Sequence, residues 1–176
     1  MKVILVMVSS LNGKITKGRA SNIYSWTSKE DSKLFFRLVE KHNLIVMGRK
    51  TYEAIRENIE LRPDKLRIVL TKDPQKFASD TVPGSLEFSN ESPAELLSRL
   101  QRIGYTEMLL VGGGEVNALF LKSSLVDELY LTIEPIIFGT GKTLVADEEL
   151  DVSLKLIGVK KLNKKGTLHL RYRVRN

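Results

Sequence analysis

A chain of 176 residues with 42% hydrophobic and 28% charged residues falls within the range of one folded domain and outside disordered or fibrous compositions. Zero cysteines exclude disulfides, thiolate metal sites and cysteine nucleophiles, and two histidines, His42 and His169, leave no plausible metal cluster, so no metal is expected. The net charge of +7 suits an anionic partner, but apart from Lys160-Lys161 and Lys164-Lys165 the basic residues are spread out, which favours a phosphorylated small molecule over nucleic acid.

Taken in chain order, apolar runs bounded by turn residues predict strands over 3–8, 44–47, 66–70, 108–111, 129–133, 152–162 and 167–174. Helical periodicity predicts 28–42, with Leu34, Phe35, Leu38 and Val39 on one stripe, then 51–58, 92–103 and 115–122. Residues 62–64 and 82–84 read as simple turns, and Asn163-Lys164-Lys165-Gly166 as a hairpin turn. This alternation predicts an α/β fold over one domain, 1–176: a mostly parallel central sheet with helices on both faces and a C-terminal antiparallel hairpin. No apolar run approaches the roughly 18 residues of a membrane helix, and the start MKVILVMVSS lacks a small-residue cleavage pattern. A cytoplasmic protein without membrane contact is expected.

Three segments carry candidate chemistry. Ser9-Ser10-Leu11-Asn12-Gly13-Lys14 follows the first strand, at the carboxyl end where open α/β sheets bind ligands, although Asn12-Gly13 is also a plain turn signal. Gly48-Arg49-Lys50-Thr51 places two cations at a helix start, where the dipole favours anions, so a solvated charge pair competes with an anionic ligand such as a 2′-phosphate. Thr71, just beyond the strand 66–70, is counted with it. Gly112-Gly113-Gly114 then joins a strand to the helix of Glu115 and Val116, either as a tight turn or as a cradle for pyrophosphate. The pattern is neither GxGxxG nor a P-loop, which disfavours kinase or ATPase chemistry. Trp26, the only tryptophan, serves as a stacking ring or as core filling. Asp127-Glu128 reads as a polar turn or subunit contact, Glu134 as edge solvation or substrate contact, and Gly139-Thr140-Gly141-Lys142 as a turn or a ligand loop.

Ile45-Val46-Met47-Gly48-Arg49-Lys50-Thr51-Tyr52-Glu53 resembles the cofactor-binding strand and helix of dihydrofolate reductases. Leu109-Leu110-Val111-Gly112-Gly113-Gly114-Glu115-Val116-Asn117 and 125–142 resemble the reductase domain of riboflavin biosynthesis, a member of the same dihydrofolate-reductase-like superfamily. That domain's Ser-Leu-Asp-Gly-Lys-Ile signature stands here as Ser10-Leu11-Asn12-Gly13-Lys14-Ile15, with asparagine for the usual aspartate.

The resemblance implies a three-layer reductase fold, NADPH as cofactor, and hydride transfer to a phosphoribosylamino-pyrimidine in the riboflavin pathway, with a homodimer in which 131–138 could join the interface. It assigns the cofactor to Gly48, Arg49, Lys50, Thr51, Thr71, Gly112, Gly113, Gly114, Glu115 and Val116, and the substrate to Ser10, Asn12, Lys14, Trp26 and Ser28. Catalysis falls to Asp31 and Asn12. Aligned at Trp26 and at Met47-Gly48-Arg49, with one extra residue between the anchors, Asp31 matches the catalytic carboxylate of dihydrofolate reductases, so a pterin reductase is the first alternative. Thr27 with Glu30, or Ser28 with Asp31, also stands at capping-box spacing, which gives Asp31 a purely structural reading. A non-catalytic nucleotide-binding module is the alternative from another class.

Overall fold

A computed structural model describes residues 1–20 and 22–175. In chain order its elements are β1 (Lys2–Ser10), α1 (Lys29–Lys41), β2 (Leu44–Gly48), α2 (Arg49–Ile55), β3 (Leu66–Leu70), β4 (Leu86–Ser89), α3 (Pro93–Arg102), β5 (Glu107–Leu110), α4 (Gly114–Lys122), β6 (Glu128–Glu134), β7 (Ser153–Lys161) and β8 (Leu168–Arg175). Short 3-10 turns lie at Ile23–Ser25, Arg56–Asn58 and Gln75–Asp80. The strands form one sheet in the order β4-β3-β2-β5-β1-β6-β8-β7. Every pairing from β4 to β6 is parallel, and the hairpin of β7 and β8 adds the antiparallel edge.

The apolar runs explain which strands are central. Val3, Ile4, Leu5 and Val6 are all buried, as are Leu44, Ile45, Val46 and Met47, because helices cover both faces. On one face α3 and α4 contribute Leu96, Leu97, Leu100, Val116 and Phe120; on the other, α1 and α2 contribute Phe35, Leu38, Val39, Tyr52 and Ile55. This is the three-layer arrangement expected of the alternating pattern. Among the described residues no helix is long and apolar enough to cross a membrane.

Local signals set the helix ends. Ser92 and Glu95 form a reciprocal capping box ahead of Pro93 in α3, so Ser92→Ala is expected to cost about 1 kcal/mol in a denaturant melt. In α1 the Ser28 hydroxyl accepts from the Asp31 amide at 3.2 Å, so the capping spacing is used, but by Ser28 alone. The hairpin turn closes through Asn163, whose Oδ1 accepts from the amides of Gly166 and Thr167, with Gly166 at φ +104°.

Three boundaries differ from expectation. β4 follows the turn at 82–84 and was not expected, because four residues alternating Leu86 and Phe88 with polar neighbours give too short a pattern. β1 continues through Ser9 and Ser10, so both sit in the strand, 2% and 1% exposed, rather than in the following loop. The helix expected over 51–58 starts at Arg49 and gives way to a 3-10 turn after Ile55.

Candidate active site

The carboxyl ends of the parallel strands open into a cavity of about 1210 Å³. Thr71 beyond β3 lines it, as do Gly48 at the end of β2, Val111 beyond β5, Val8 of β1 and Thr132 of β6. His169 also lies on the wall, because β8 runs antiparallel and brings its first residues to this edge. The strand order sets Thr71 and His169 toward opposite ends.

At the β3–β5 end two helix starts face the cavity. Gly48 and Gly113 are the N-caps of α2 and α4, and neither helix has a side-chain cap. Orphan amides of this kind are satisfied by an anion. The three glycines are needed for different reasons. Gly112 has φ +87°, its carbonyl accepts from the Gly48 amide at 2.7 Å, and a Cβ there would meet Met7 Sδ at 2.8 Å. A Cβ on Gly114 would stand 2.6 Å from the Thr143 carbonyl oxygen, whereas one on Gly113 would meet only Thr51 Oγ1, at 3.4 Å. The Gly112–Gly113 peptide is cis. Val116 is buried where α4 closes on Gly48.

Arg49 and Lys50 at this end are held by carboxylates. Arg49 Nη1 donates to both oxygens of Glu53 at 2.8 and 2.7 Å, and Lys50 Nζ to Glu115 Oε1 at 2.6 Å. The Lys50 hydrogen bond holds the Glu115 carboxyl below its usual range. Both pairs are largely exposed, so exchanging them for a phosphate costs little. Lys72, Lys76 and Asn90, absent from the sequence-based set, join Thr71 on the same wall.

At the other end Asp31 sits in the first turn of α1, 8% exposed. Burial pushes its carboxyl up to about 6, an effect that the Thr132 hydroxyl opposes and the nearby Glu134 adds to. Tyr24, Phe35 and Leu38 line the cavity beside it. Burial and the Asp31 carboxyl raise the Tyr24 hydroxyl above its ordinary value. Thr132 stands opposite His169, with Oγ1 and Nδ1 3.3 Å apart. Burial, then Arg171 and Lys160, holds the His169 imidazole below its usual range.

The expected substrate set divides. Lys14 lines the cavity with Arg19 and Lys142, and none of the three is in an ion pair among the described residues. Ser10, Asn12, Trp26 and Ser28 are not on the wall. The Ser10 hydroxyl donates to Asn12 Oδ1 at 2.8 Å, while Asn12 Nδ2 donates to the Phe138 carbonyl at 2.7 Å and its Oδ1 accepts from the Phe138 amide at 3.2 Å. Asn12, expected among the catalytic groups, thus spends its amide joining two loops. Trp26 packs edge-on against Phe138 at 5.2 Å. Glu134, 4% exposed, accepts from the Ser28 amide and the Thr167 hydroxyl, both at 2.7 Å, and ties α1 to β6 and the hairpin. The Asp127 carboxylate accepts from the Val3 amide at 2.7 Å.

Sequence reasoning missed Thr132, His169, Tyr24 and Lys72. Strand alternation gives Tyr130 and Thr132 a common face, but only the β6–β8 register brings His169 to it.

Over residues 1–168 the chain matches the family described as the RibD C-terminal domain. It is similar to the uncharacterized protein YwjB of Bacillus subtilis (strain 168), 26% identical over 173 residues that cover 96% of each chain. Among solved structures it is similar to a putative riboflavin biosynthesis protein from Shewanella sp. PV-4, with 24% identity and a TM-score of 0.79 over all of both chains. It is also similar to dihydrofolate reductase from Enterococcus faecalis complexed with NADP(H) and RAB-propyl, with 22% identity and a TM-score of 0.66 over 99% of this chain and 97% of that one. The sheet, its two helical layers and the terminal hairpin are those of the dihydrofolate-reductase-like fold.

Proposed function

Because the chain belongs to the RibD C-terminal domain family, we propose that residues 1–176 form one cytoplasmic, NADPH-dependent reductase domain. Its substrate is 5-amino-6-(5-phosphoribosylamino)uracil or the non-deaminated pyrimidine relative. The observation that carries this reading is one continuous cavity joining Gly48, Arg49, Lys50, Thr51, Gly113 and Gly114 to the buried carboxyl of Asp31.

The residues present fit NADPH. The uncapped amides of α4 and the Thr51 hydroxyl face the space that a Cβ on Gly113 would fill, which suits a pyrophosphate. Arg49 and Lys50 release their exposed carboxylates to hold the 2′-phosphate, with Thr71 and Lys72 beside them. When bound, the cofactor supplies the hydride. Asp31 supplies the proton that must follow, since burial raises its carboxyl to about 6 and so keeps roughly a tenth of it protonated at pH 7, far more than an exposed carboxyl would hold. Phe35 and Leu38 keep water from that end. Lys14, Arg19 and Lys142, which have no ion-pair partner among the described residues, meet the phosphate of the substrate. Ser10, Asn12, Trp26 and Ser28 act by holding the surrounding loops.

Asp31 also favours a second reading. An ionised carboxylate accepts the paired N–H groups of a ring carrying a 2-amino group beside a ring N–H, an edge found on pterins and on the non-deaminated pyrimidine, whereas a uracil ring presents oxygen there. Oxidation of NADPH by the purified protein, followed at 340 nm with the phosphoribosylamino-pyrimidines and separately with dihydrofolate, distinguishes the two. Turnover of dihydrofolate alone replaces the first reading by the second, and no turnover with any of them overturns a reductase.

Arg49→Ala combined with Lys50→Ala is expected to weaken NADPH by roughly 10- to 100-fold, the worth of one or two charge-assisted hydrogen bonds, and NADH by less than about threefold. Equal losses for both cofactors, measured by fluorescence titration, refute the 2′-phosphate role. The reading also includes a homodimer: Ile137, Leu154, Leu156 and Val159 leave apolar surface exposed, and light scattering tests it.

A further inference from the structure

Cations that stand far apart along the chain are gathered by the strand register on one side of the sheet. Alternate residues of a strand share a face, and the β8 face that carries His169 also carries Arg171, Arg173 and Arg175. Lys160 and Lys155 of β7 lie on the same face, across from His169 and Arg173. This is the α1 side of the sheet: Tyr130, opposite Arg171, packs into the same cluster as Phe35 and Leu38, and the Arg171 guanidinium lies 5.6 Å from its ring centre.

α1 adds a second row. Lys33, Arg37 and Lys41 recur every four residues on the flank of Glu30, whose carboxylate accepts from Asn163 Nδ2 of the hairpin turn at 3.3 Å. That contact sets the flank beside the hairpin. The three cations of α1, the three of β8 and the two of β7 are all exposed. None of them is in an ion pair among the described residues, whereas Arg49, Arg62, Arg99 and Lys122 elsewhere each hold a carboxylate. Glu128, across from Arg173, is taken by the Tyr130 hydroxyl at 2.8 Å and by Lys2 at 3.2 Å.

Such clustering works against the fold taken alone. Like charges four residues apart on a helix repel, and so do like charges directly across a strand pair, as Lys155 and Arg173 are. Gly158, across from Arg171, leaves room for the guanidinium, since a Cβ there would stand 3.2 Å from Arg171 Nε. The exposed Leu154, Leu156 and Val159 lie on the other face of the hairpin, so a homodimer formed there leaves the basic face free.

We propose that the basic face between α1 and the β7–β8 hairpin binds single-stranded nucleic acid through its phosphates, as a second function beside that of the cavity.

Regular spacing favours a polymer of phosphates. Cations two residues apart on β8 stand about 6.7 Å apart, and those four residues apart on α1 rise by about 6 Å. Two such rows follow the backbone of one strand, as the charged grooves of single-strand-binding proteins do. A membrane surface calls for an apolar anchor, and the exposed apolar side chains of the hairpin are on its other face. Among the described residues of β7 and β8 no exposed aromatic ring stands between these cations, so binding reads charge rather than base and weakens with salt. None of the eight lines the cavity, which separates this function from the proposed reductase activity.

Fluorescence anisotropy with labelled single strands of about 20 nucleotides, RNA and DNA in separate arms, tests the proposal. The expected result is binding of mixed-sequence strands whose log affinity falls against log salt with a slope of about −3.5, as about five neutralised phosphates require. Lys155→Gln with Arg173→Gln should weaken binding by about tenfold or more near 100 mM salt and bring the slope to about −2. Arg56→Gln with Arg102→Gln removes the same charge from exposed positions on α3 and after α2, and should leave affinity within about twofold. Saturating NADPH should not displace the strand, and urea melts show that the variants are folded. If the Lys155 and Arg173 pair does not fold, Arg37→Gln with Lys41→Gln reads the helix row instead, with the same expected loss. The proposal is overturned by no binding at about 50 mM salt, by equal losses in the two paired variants, or by displacement with NADPH. Binding to vesicles of anionic lipid with none to either strand overturns it in favour of a membrane, and self-association that the Lys155 and Arg173 changes abolish, again with none to either strand, in favour of a second copy of the chain.

Discussion

Asp31→Asn is expected to slow hydride transfer by on the order of 10²- to 10⁴-fold, the usual contribution of a positioned acid, while making the free protein more stable above pH 6. Burial raises this carboxyl from 3.8 to about 6, so between those values the folded chain holds a proton that the unfolded chain has lost. The native state then binds more protons than the unfolded state, and stability falls as pH rises through that window. A shift of about two units corresponds to roughly 3 kcal/mol, fully lost above pH 6. Asparagine keeps the shape and carries no charge, so the variant should melt higher than wild type at pH 8 and nearly level with it at pH 4. NADPH affinity should stay within about threefold, because Asp31 lies at the end of the cavity away from Arg49 and Thr71. In wild type, the single-turnover rate should fall about tenfold per pH unit above 6, as the proton donor is lost. A variant with an unchanged single-turnover rate would remove Asp31 from the chemistry, and one that melts lower at pH 8 would show that the carboxylate is compensated where it lies.

The fold was largely legible because its central strands are buried on both faces. Val3 to Val6 and Leu44 to Met47 are continuous apolar runs for that reason, and the polar hairpin turn at Asn163 marks where the parallel pattern ends. β4 escaped because its four residues look the same whether they form an edge strand or flank a turn. The candidate site was legible in part, and the division is physical. Glycines at Gly112 to Gly114 and adjacent cations at Arg49 and Lys50 announce themselves, since both are costly unless backbone geometry or an anion requires them. Ser10 and Asn12 carry the same polar signal whether they bind a ligand or the chain itself, and here the partner is Phe138, 126 residues away from Asn12. Thr132 and His169 are separated by 37 residues and meet only through the strand register. No local pattern could have joined them, or shown that Asp31 would be buried deeply enough to keep its proton.

Alanine at Gly113 and at Gly114 should separate binding from folding. Gly113 has φ −82° and ψ −166°, extended backbone open to any residue, and its added Cβ would meet only Thr51 Oγ1 at 3.4 Å. The methyl would stand beside Thr51 at the N-cap of α4, in the space assigned to the pyrophosphate. Forcing a methyl into an occupied space costs about 1–3 kcal/mol, so NADPH should weaken by roughly 10- to 100-fold while the denaturant midpoint stays near wild type. At Gly114 the same methyl meets protein rather than ligand. The Thr143 carbonyl oxygen lies 2.6 Å away and the Ala146 amide nitrogen 3.3 Å away, and the Ala146 amide already donates to the Gly114 carbonyl at 3.0 Å. Backbone cannot rotate aside as a side chain can, so the segment 143–146 must move, and Gly114→Ala should lose about 1–3 kcal/mol of stability with or without cofactor. NADPH titration and urea melts of both variants give four numbers, and the expected pattern is loss of affinity without loss of stability only at Gly113. If Gly113→Ala binds NADPH as wild type does, the phosphates lie elsewhere and the two helix starts do not share a dinucleotide.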